Sequence, residues 1–199
     1  MRIGIFGGSF NPVHRGHLEL ARAAAAELGL DKLFFVPSRQ TPLKSGRELL
    51  PVHLRVELLR RSLGKEHRFF LSLCETRRKG LSFTVDTLKY FKRKFGKQAV
   101  LYFLAGADAL KNLSRWKSLP KVLRLCRFVV CTRPNVRMGR VPQGVIYLPF
   151  DALDISASDI RRRLAAGRRV EGLVPPGTAP ILRNYFRSTK GDSSKRLKK

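Results

Sequence analysis

The chain has 199 residues, 43% of them hydrophobic and 9% aromatic, enough for one domain with a substantial core. Lys and Arg total 41 against 14 Asp and Glu, a formal charge of +27. With no apolar run near the ~20 residues of a membrane span, no secretory leader pattern and three cysteines without CxxC spacing, membrane, collagen-like, disulfide-rich and disordered classes are excluded. Residues 2–6 (RIGIF) predict a buried strand that ends at Gly7-Gly8. Residues 17–29 predict a helix with Leu18, Ala21, Ala25 and Leu28 on one face. Residues 32–36 (KLFFV) predict a strand stopped by Pro37, and 38–46 a polar loop. An amphipathic helix is predicted over 50–63, with Pro51 near its first turn. Then follow a strand at 69–73, a helix at 84–95, a strand at 98–104 ending at Gly106, a short helix at 119–125 and strands at 127–131 and 145–148. Helices at 156–166 and 178–187 complete the chain.

Strands alternating with helices imply a parallel sheet with right-handed crossovers. The runs FFV, VLYFL and FVV are apolar at consecutive positions, as in strands covered on both faces. The expected fold is a single α/β domain over residues 1–187: a doubly wound, Rossmann-like parallel sheet with helices on both faces and a small helical C-terminal portion. Residues 188–199 are expected to be a basic, disordered tail. Ligands in such folds sit beyond the carboxyl ends of the strands, at a switch point. The basic charge attracts polyanions. It is spread along the chain rather than gathered in an arm, however, and no RNP-like, zinc-finger or helix-turn-helix signature accompanies it, so specific nucleic-acid binding is not expected. The cysteines Cys74, Cys126 and Cys131 read as reduced thiols of a cytoplasmic protein.

Residues 7–17, GGSFNPVHRGH, carry the strongest chemical signal. Gly7 and Gly8 allow a sharp turn and close approach to a ligand. Ser9 and Phe10 offer amides, and Gly16 allows a phosphate to come near His14 and His17. A helix beginning here directs N–H groups and partial positive charge at an anion. A pair of histidines satisfied within the protein is the bland alternative. Neither GxGxxG nor GxxxxGK[ST] is present, which sets aside Rossmann dehydrogenases and P-loop NTPases. Residues 155–161, ISASDIR, supply a second anion site: Ser156 or Ser158 can cap the following helix, and Arg161 is a forked donor for phosphate oxygens.

The two segments together resemble the (H/T)xGH and IS[ST][ST]xIR motifs of the nucleotidylyltransferase superfamily. The GGSFNPxHxGH form resembles the nicotinate-nucleotide adenylyltransferase family, and the resemblance extends over nearly the whole chain. It implies adenylyl transfer from ATP to nicotinate mononucleotide, giving deamido-NAD and pyrophosphate in NAD biosynthesis. His14 and His17 would contact the phosphates, with His17 at the α–β region. Gly8, Ser9 and Phe10 would present backbone donors. Ser156, Ser158 and Arg161 would hold the departing pyrophosphate, and Mg²⁺ would be carried in with ATP rather than caged by the protein, so no metal ligands are assigned.

The same resemblance implies a substrate side. SFTVDTL (82–88) resembles the family's SYTxDTL, where the matching Thr84 contacts the pyridine carboxylate; Phe83 replaces the usual Tyr. A plain helix cap is the alternative for Thr84. GADALKNLSRW (106–116) resembles GxDxxxxLxxW. Gly106 and Asp108 would lie at a ribose, and Trp116 would stack on the pyridine ring, or else be a core residue. Arg133 would lie near the nucleotide and Lys44 in a basic loop, although both could be plain surface charges. Three departures from the family pattern stand out: Ala157 for Ser or Thr, Asn135 for Gly, and TPLKS for a PxxPPHK-like loop. The expected partners are therefore ATP and the mononucleotide, with no membrane; an oligomer is compatible with the motifs. The rival readings are a sister adenylyl- or cytidylyltransferase using nicotinamide mononucleotide, phosphopantetheine or glycerol phosphate, a basic nucleic-acid-binding protein, and a tRNA synthetase fragment. The last has no KMSKS-like loop.

Overall fold

In the computed structural model, the described residues are 1–40, 49–64, 66–106, 112–132, 144–150 and 153–196, with side chains described as far as 189. Six strands, β1 (Arg2–Gly8), β2 (Lys32–Pro37), β3 (Phe69–Leu71), β4 (Val100–Gly106), β5 (Arg127–Thr132) and β6 (Val145–Pro149), form one sheet in the order β3-β2-β1-β4-β5-β6. All its pairings are parallel. The order is that of a doubly wound sheet, and the reversal of direction falls between β1 and β4.

The helices are α1 (Arg15–Glu27), α2 (Val52–Leu63), α3 (Thr84–Phe95), α4 (Leu119–Leu125), α5 (Ala157–Ala165) and α6 (Ala179–Arg196). Alternation along the strands divides the core in two. Phe6, Phe35, Leu104 and Val129 pack on one face with Leu18, Ala21, Leu58, Ile160 and Leu182, that is, with α1, α2, α5 and α6. Ile3, Ile5, Phe103 and Phe128 pack on the other face with Leu88, Phe91 and Val122 of α3 and α4. Because both faces are covered, the strands can be apolar at consecutive positions.

Every predicted element is present, α3 and α4 with the predicted ends and the others with shifted ones. β1 runs on to Gly8 and β4 to Gly106, since Gly8 pairs with Pro37 and Gly106 with Cys131. α1 begins at Arg15, before the predicted residue 17, with His14 as its cap. β3 stops at Leu71 because the chain enters a turn over 74–80. The last helix continues through Arg196, past residue 187. Its first turns are docked through buried Ala179 and Leu182, and once a helix is nucleated each further residue adds a backbone hydrogen bond.

Candidate active site

The carboxyl end of β1 leads into a tightly tied turn. The Gly8 carbonyl accepts from the Ser38 amide at 2.9 Å. The Ser9 carbonyl accepts from Arg55 Nη1 at 2.6 Å, and the Asn11 carbonyl from Arg161 Nη1 at 2.8 Å. The Asn11 side-chain oxygen accepts from the Leu50 amide at 2.8 Å. Phe10 adopts a left-handed φ of +45°, unusual for a bulky residue, and the Asn11–Pro12 bond is cis. Burial secures that conformation: the Phe10 ring is 1% exposed, with Phe6, Phe35 and His17 at 5.3, 5.6 and 5.2 Å between centroids. The glycines make room for protein groups. A Cβ on Gly7 would lie 2.9 Å from the Phe103 ring, and one on Gly16 would lie 3.2 Å from His14 Nδ1. Gly16, read from sequence as leaving space for a phosphate, leaves space for the His14 imidazole instead.

His14 and His17 are brought together by the first turn of α1. The His14 amide donates to His17 Nδ1 at 3.2 Å, and the His17 amide donates to the His14 carbonyl at 2.9 Å. Their rings lie 3.7 Å apart between centroids. Because His17 Nδ1 accepts, its neutral form carries the ring proton on Nε2, where it can be donated outward. Burial pushes the His14 imidazole from 6.5 down to about 4, so it is neutral at pH 7. No acidic residue occupies the first turn of α1, where the positive end of its dipole lies.

α5 meets this turn from the far end of the chain. Ser156 is its cap, with Oγ accepting from the Asp159 amide at 3.0 Å; Ser158 is exposed in the first turn. Of the two serines that could cap, the structure selects Ser156. Asp159 pairs with Arg163 at 2.7 Å and Arg162 at 3.3 Å. Buried Ile160 and Leu164 fix the helix, and Arg161 reaches from it to Asn11, 150 residues away in sequence. One N–H of the guanidinium is committed to that carbonyl, out of the five that a guanidinium carries.

On the other face of the sheet, Thr84 is the first residue of α3 and is half-buried. The cap itself is Phe83, with no side-chain capping bond, so the reading of Thr84 as a plain cap is corrected. Trp116 is half-buried, set edge to face on Phe103 at 5.8 Å and Phe128 at 5.3 Å. Its neighbour Lys117 places Nζ 4.3 Å from the centre of the Phe83 ring, which ties the Trp116 segment to the start of α3. Beneath α3, Thr87 donates to buried Glu75 at 2.6 Å, and burial pushes that carboxyl up. Gly106 is exposed at the end of β4. Lys44, Asp108 and Arg133 lie outside the described residues. Among the described residues, no group of three or more His, Cys, Asp or Glu side chains converges as a metal site.

The residue that sequence reading missed is Arg55. It sits in α2 and is 0% exposed. A signal existed: it shares the helical arc of Leu58 and Leu59, three and four residues on, and both are buried. A charge on the apolar arc of a helix is costly unless its donors are satisfied.

A family profile described as Cytidylyltransferase-like matches residues 5–163. A probable nicotinate-nucleotide adenylyltransferase of Thermoanaerobacter sp. (strain X514) is 36% identical over 196 residues, covering 93% of each chain. Another, from Thermomicrobium roseum, is 38% identical over 183 residues, covering 87% of this chain and 85% of its own. Among solved structures, Plasmodium falciparum nicotinic acid mononucleotide adenylyltransferase complexed with APC superposes with a TM-score of 0.75. It is 19% identical and covers 92% of this chain and 95% of its own. The same enzyme complexed with NaAD gives 0.74 at 20% identity, with the same coverage. At those identities the superpositions speak for the fold.

Proposed function

The chain belongs to the nicotinate-nucleotide adenylyltransferases, within the cytidylyltransferase-like family, and from that premise we propose that it transfers the adenylyl group of ATP to nicotinate mononucleotide. The products are deamido-NAD and pyrophosphate, and the step belongs to NAD biosynthesis. The observation that carries this reading is the Arg161–Asn11 hydrogen bond, which joins the two phosphate-binding segments at the carboxyl end of β1.

A phosphate oxygen of the mononucleotide attacks the α-phosphorus of ATP in line. The new P–O bond forms as the bond to the bridging α–β oxygen breaks, and the electron pair leaves with pyrophosphate. The nucleophile is already anionic, so no general base is required. Catalysis consists of positioning and charge stabilisation. His17, with its proton held on Nε2 by the bond at Nδ1, donates to the α–β phosphate region. Neutral His14 lies against it and donates nearby without adding a cationic ring. The amides of Gly8, Ser9 and Phe10, the start of α1, and Ser158 with Arg161 hold the remaining oxygens. A divalent cation, Mg²⁺ in this reading, arrives with ATP as part of the substrate and retains most of its waters.

For the acceptor, Thr84 reads the pyridine carboxylate and Trp116 lies against the ring. The Lys117–Phe83 contact supports this by bringing the two segments together. Asp108, Gly106, Arg133 and Lys44 take the ribose, nucleotide and loop positions that the motifs imply. A cytoplasmic location accords with three free thiols, two of which burial pushes up to about 12.

Pyrophosphate release from ATP tests the proposal, with nicotinate mononucleotide, nicotinamide mononucleotide and phosphopantetheine offered in parallel. Release at least about tenfold faster with the nicotinate compound is expected, a difference of roughly 1.4 kcal/mol. Faster release with another acceptor discards Thr84 and Trp116 as pyridine readers. No release with any acceptor discards the reaction.

A further inference from the structure

Arg55 donates to four main-chain carbonyls and, among the described residues, to no carboxylate. Nε reaches Leu50 at 2.9 Å. Nη1 reaches Ser9 at 2.6 Å and Ser38 at 2.9 Å. Nη2 reaches Arg39 at 3.4 Å. These acceptors come from three separate stretches: the turn after β1, the segment after β2 and the entry to α2. A neutral side chain could have filled the same volume without the cost of burying a charge. The planar fork is what suits the place, because it fixes several acceptors in one plane at set directions.

We infer that Arg55 is a positioning residue for adenylyl transfer, which holds the Ser9 carbonyl inward so that the turn over residues 8–11 keeps the shape its amides need at the phosphates. The inference rests on the reaction proposed above. Ser9 lies between two other tied carbonyls, Gly8 held by Ser38 and Asn11 held by Arg161. Arg55 also holds the carbonyl of Ser38, the residue whose amide restrains Gly8, so one guanidinium ties the residues on both sides of that contact, Ser38 and Ser9. Release of the Ser9 carbonyl would remove the tie next to Phe10, leaving its left-handed conformation to its buried ring and to the ties at Gly8 and Asn11. The turn would relax while the sheet stayed folded, since Arg55 contributes no strand pairing. Arg55 touches no position assigned to a reacting group and acts only through the turn.

The test uses Arg55→Lys and Arg55→Met in the full chain. Lysine keeps the charge but offers one ammonium in place of the fork. Two readouts are compared, at a temperature where circular dichroism shows each variant folded. One is kcat with KM for ATP and for nicotinate mononucleotide; the other is amide hydrogen exchange over residues 5–13 against 84–95. The expected result for Arg55→Lys is a kcat lower by roughly 10²-fold with KM values changed only a few-fold, as for a small misplacement of catalytic groups. Exchange should speed up at 8–11 and stay unchanged at 84–95. If Arg55→Met does not fold, Arg55→Lys alone decides. A folded Arg55→Lys protein with kcat within about twofold of the parent overturns the inference. So does a lowered kcat with exchange unaltered at the turn, or raised equally everywhere, the mark of a purely structural role. Should the parent itself release no pyrophosphate with any acceptor, the reaction is lost; exchange still reports whether Arg55 holds the turn.

Discussion

The β1–α1 turn and the Phe83–Trp116 side are built by different physics. The turn is held by directional bonds: Ser38, Arg55 and Arg161 each fix one of its carbonyls, and His14 and His17 bond each other's backbone. The opposite side is held by surfaces: Trp116 lies edge to face on Phe103 and Phe128, and Lys117 lies over Phe83. Hydrogen bonds set angles, which charge stabilisation in a transition state requires. Ring packing tolerates small shifts and suits the reading of a flat acceptor. In the function proposed above, the chemistry falls to the half held by directional bonds and recognition to the half held by ring packing.

Substitutions at four positions bear on that contrast. His17→Ala should lower kcat by roughly 10²–10³ and leave the thermal midpoint nearly unchanged, as for loss of one preorganised donor. A normal turnover number in the folded variant would remove the directionally bonded half's claim on the chemistry. The second concerns His14. Unfolded, it takes up a proton below about 6.5; folded, it refuses one until about 4. Its contribution is therefore complete above pH 6.5 and is lost as pH falls through that window, amounting to about 3 kcal/mol. Glu75, raised by burial, acts in the opposite sense. Hence the comparison is between parent and His14→Gln: the parent should lose more stability between pH 7 and 4.5 in denaturant titrations. Equal losses would mean that the imidazole is not desolvated as described.

Trp116→Ala should raise KM for nicotinate mononucleotide about tenfold with a smaller change in kcat, the signature of lost ground-state binding. Trp116→Phe should recover part of it. A KM that does not move returns Trp116 to the core beside Phe103. The smallest effect belongs to Ser156→Ala, which removes the cap bond to Asp159 and should cost about 1 kcal/mol on thermal melting. A larger kinetic than stability change there would mean that the hydroxyl serves the phosphates as well as the helix.

Much of this was legible in the residues. The alternation of apolar runs with amphipathic stretches was enough for a doubly wound sheet, because strands covered on both faces must be apolar at consecutive positions. The span of α3 was read from its periodicity to the residue, whereas the carboxyl ends of β1 and β4 were both placed two residues early because glycine marks a break in sequence but pairs readily within a ladder. The extension of the last helix past 187 was not legible for a related reason: the composition of 188–196 carries no helical signal of its own, and docking of Ala179 and Leu182 supplies the nucleus.

By itself the sequence determined the fold class, through local periodicity, and the family, through two short segments that resemble its motifs and that the proposed function assigns to phosphate binding. The tertiary structure decided what each group in those segments spends itself on. Gly16 yields space to His14, Ser156 rather than Ser158 caps α5, and Arg161 gives an N–H to Asn11. Arg55, overlooked on the apolar arc of α2, anchors the turn from within. These are matters of direction and burial between segments far apart in the chain, and only the packed molecule sets them.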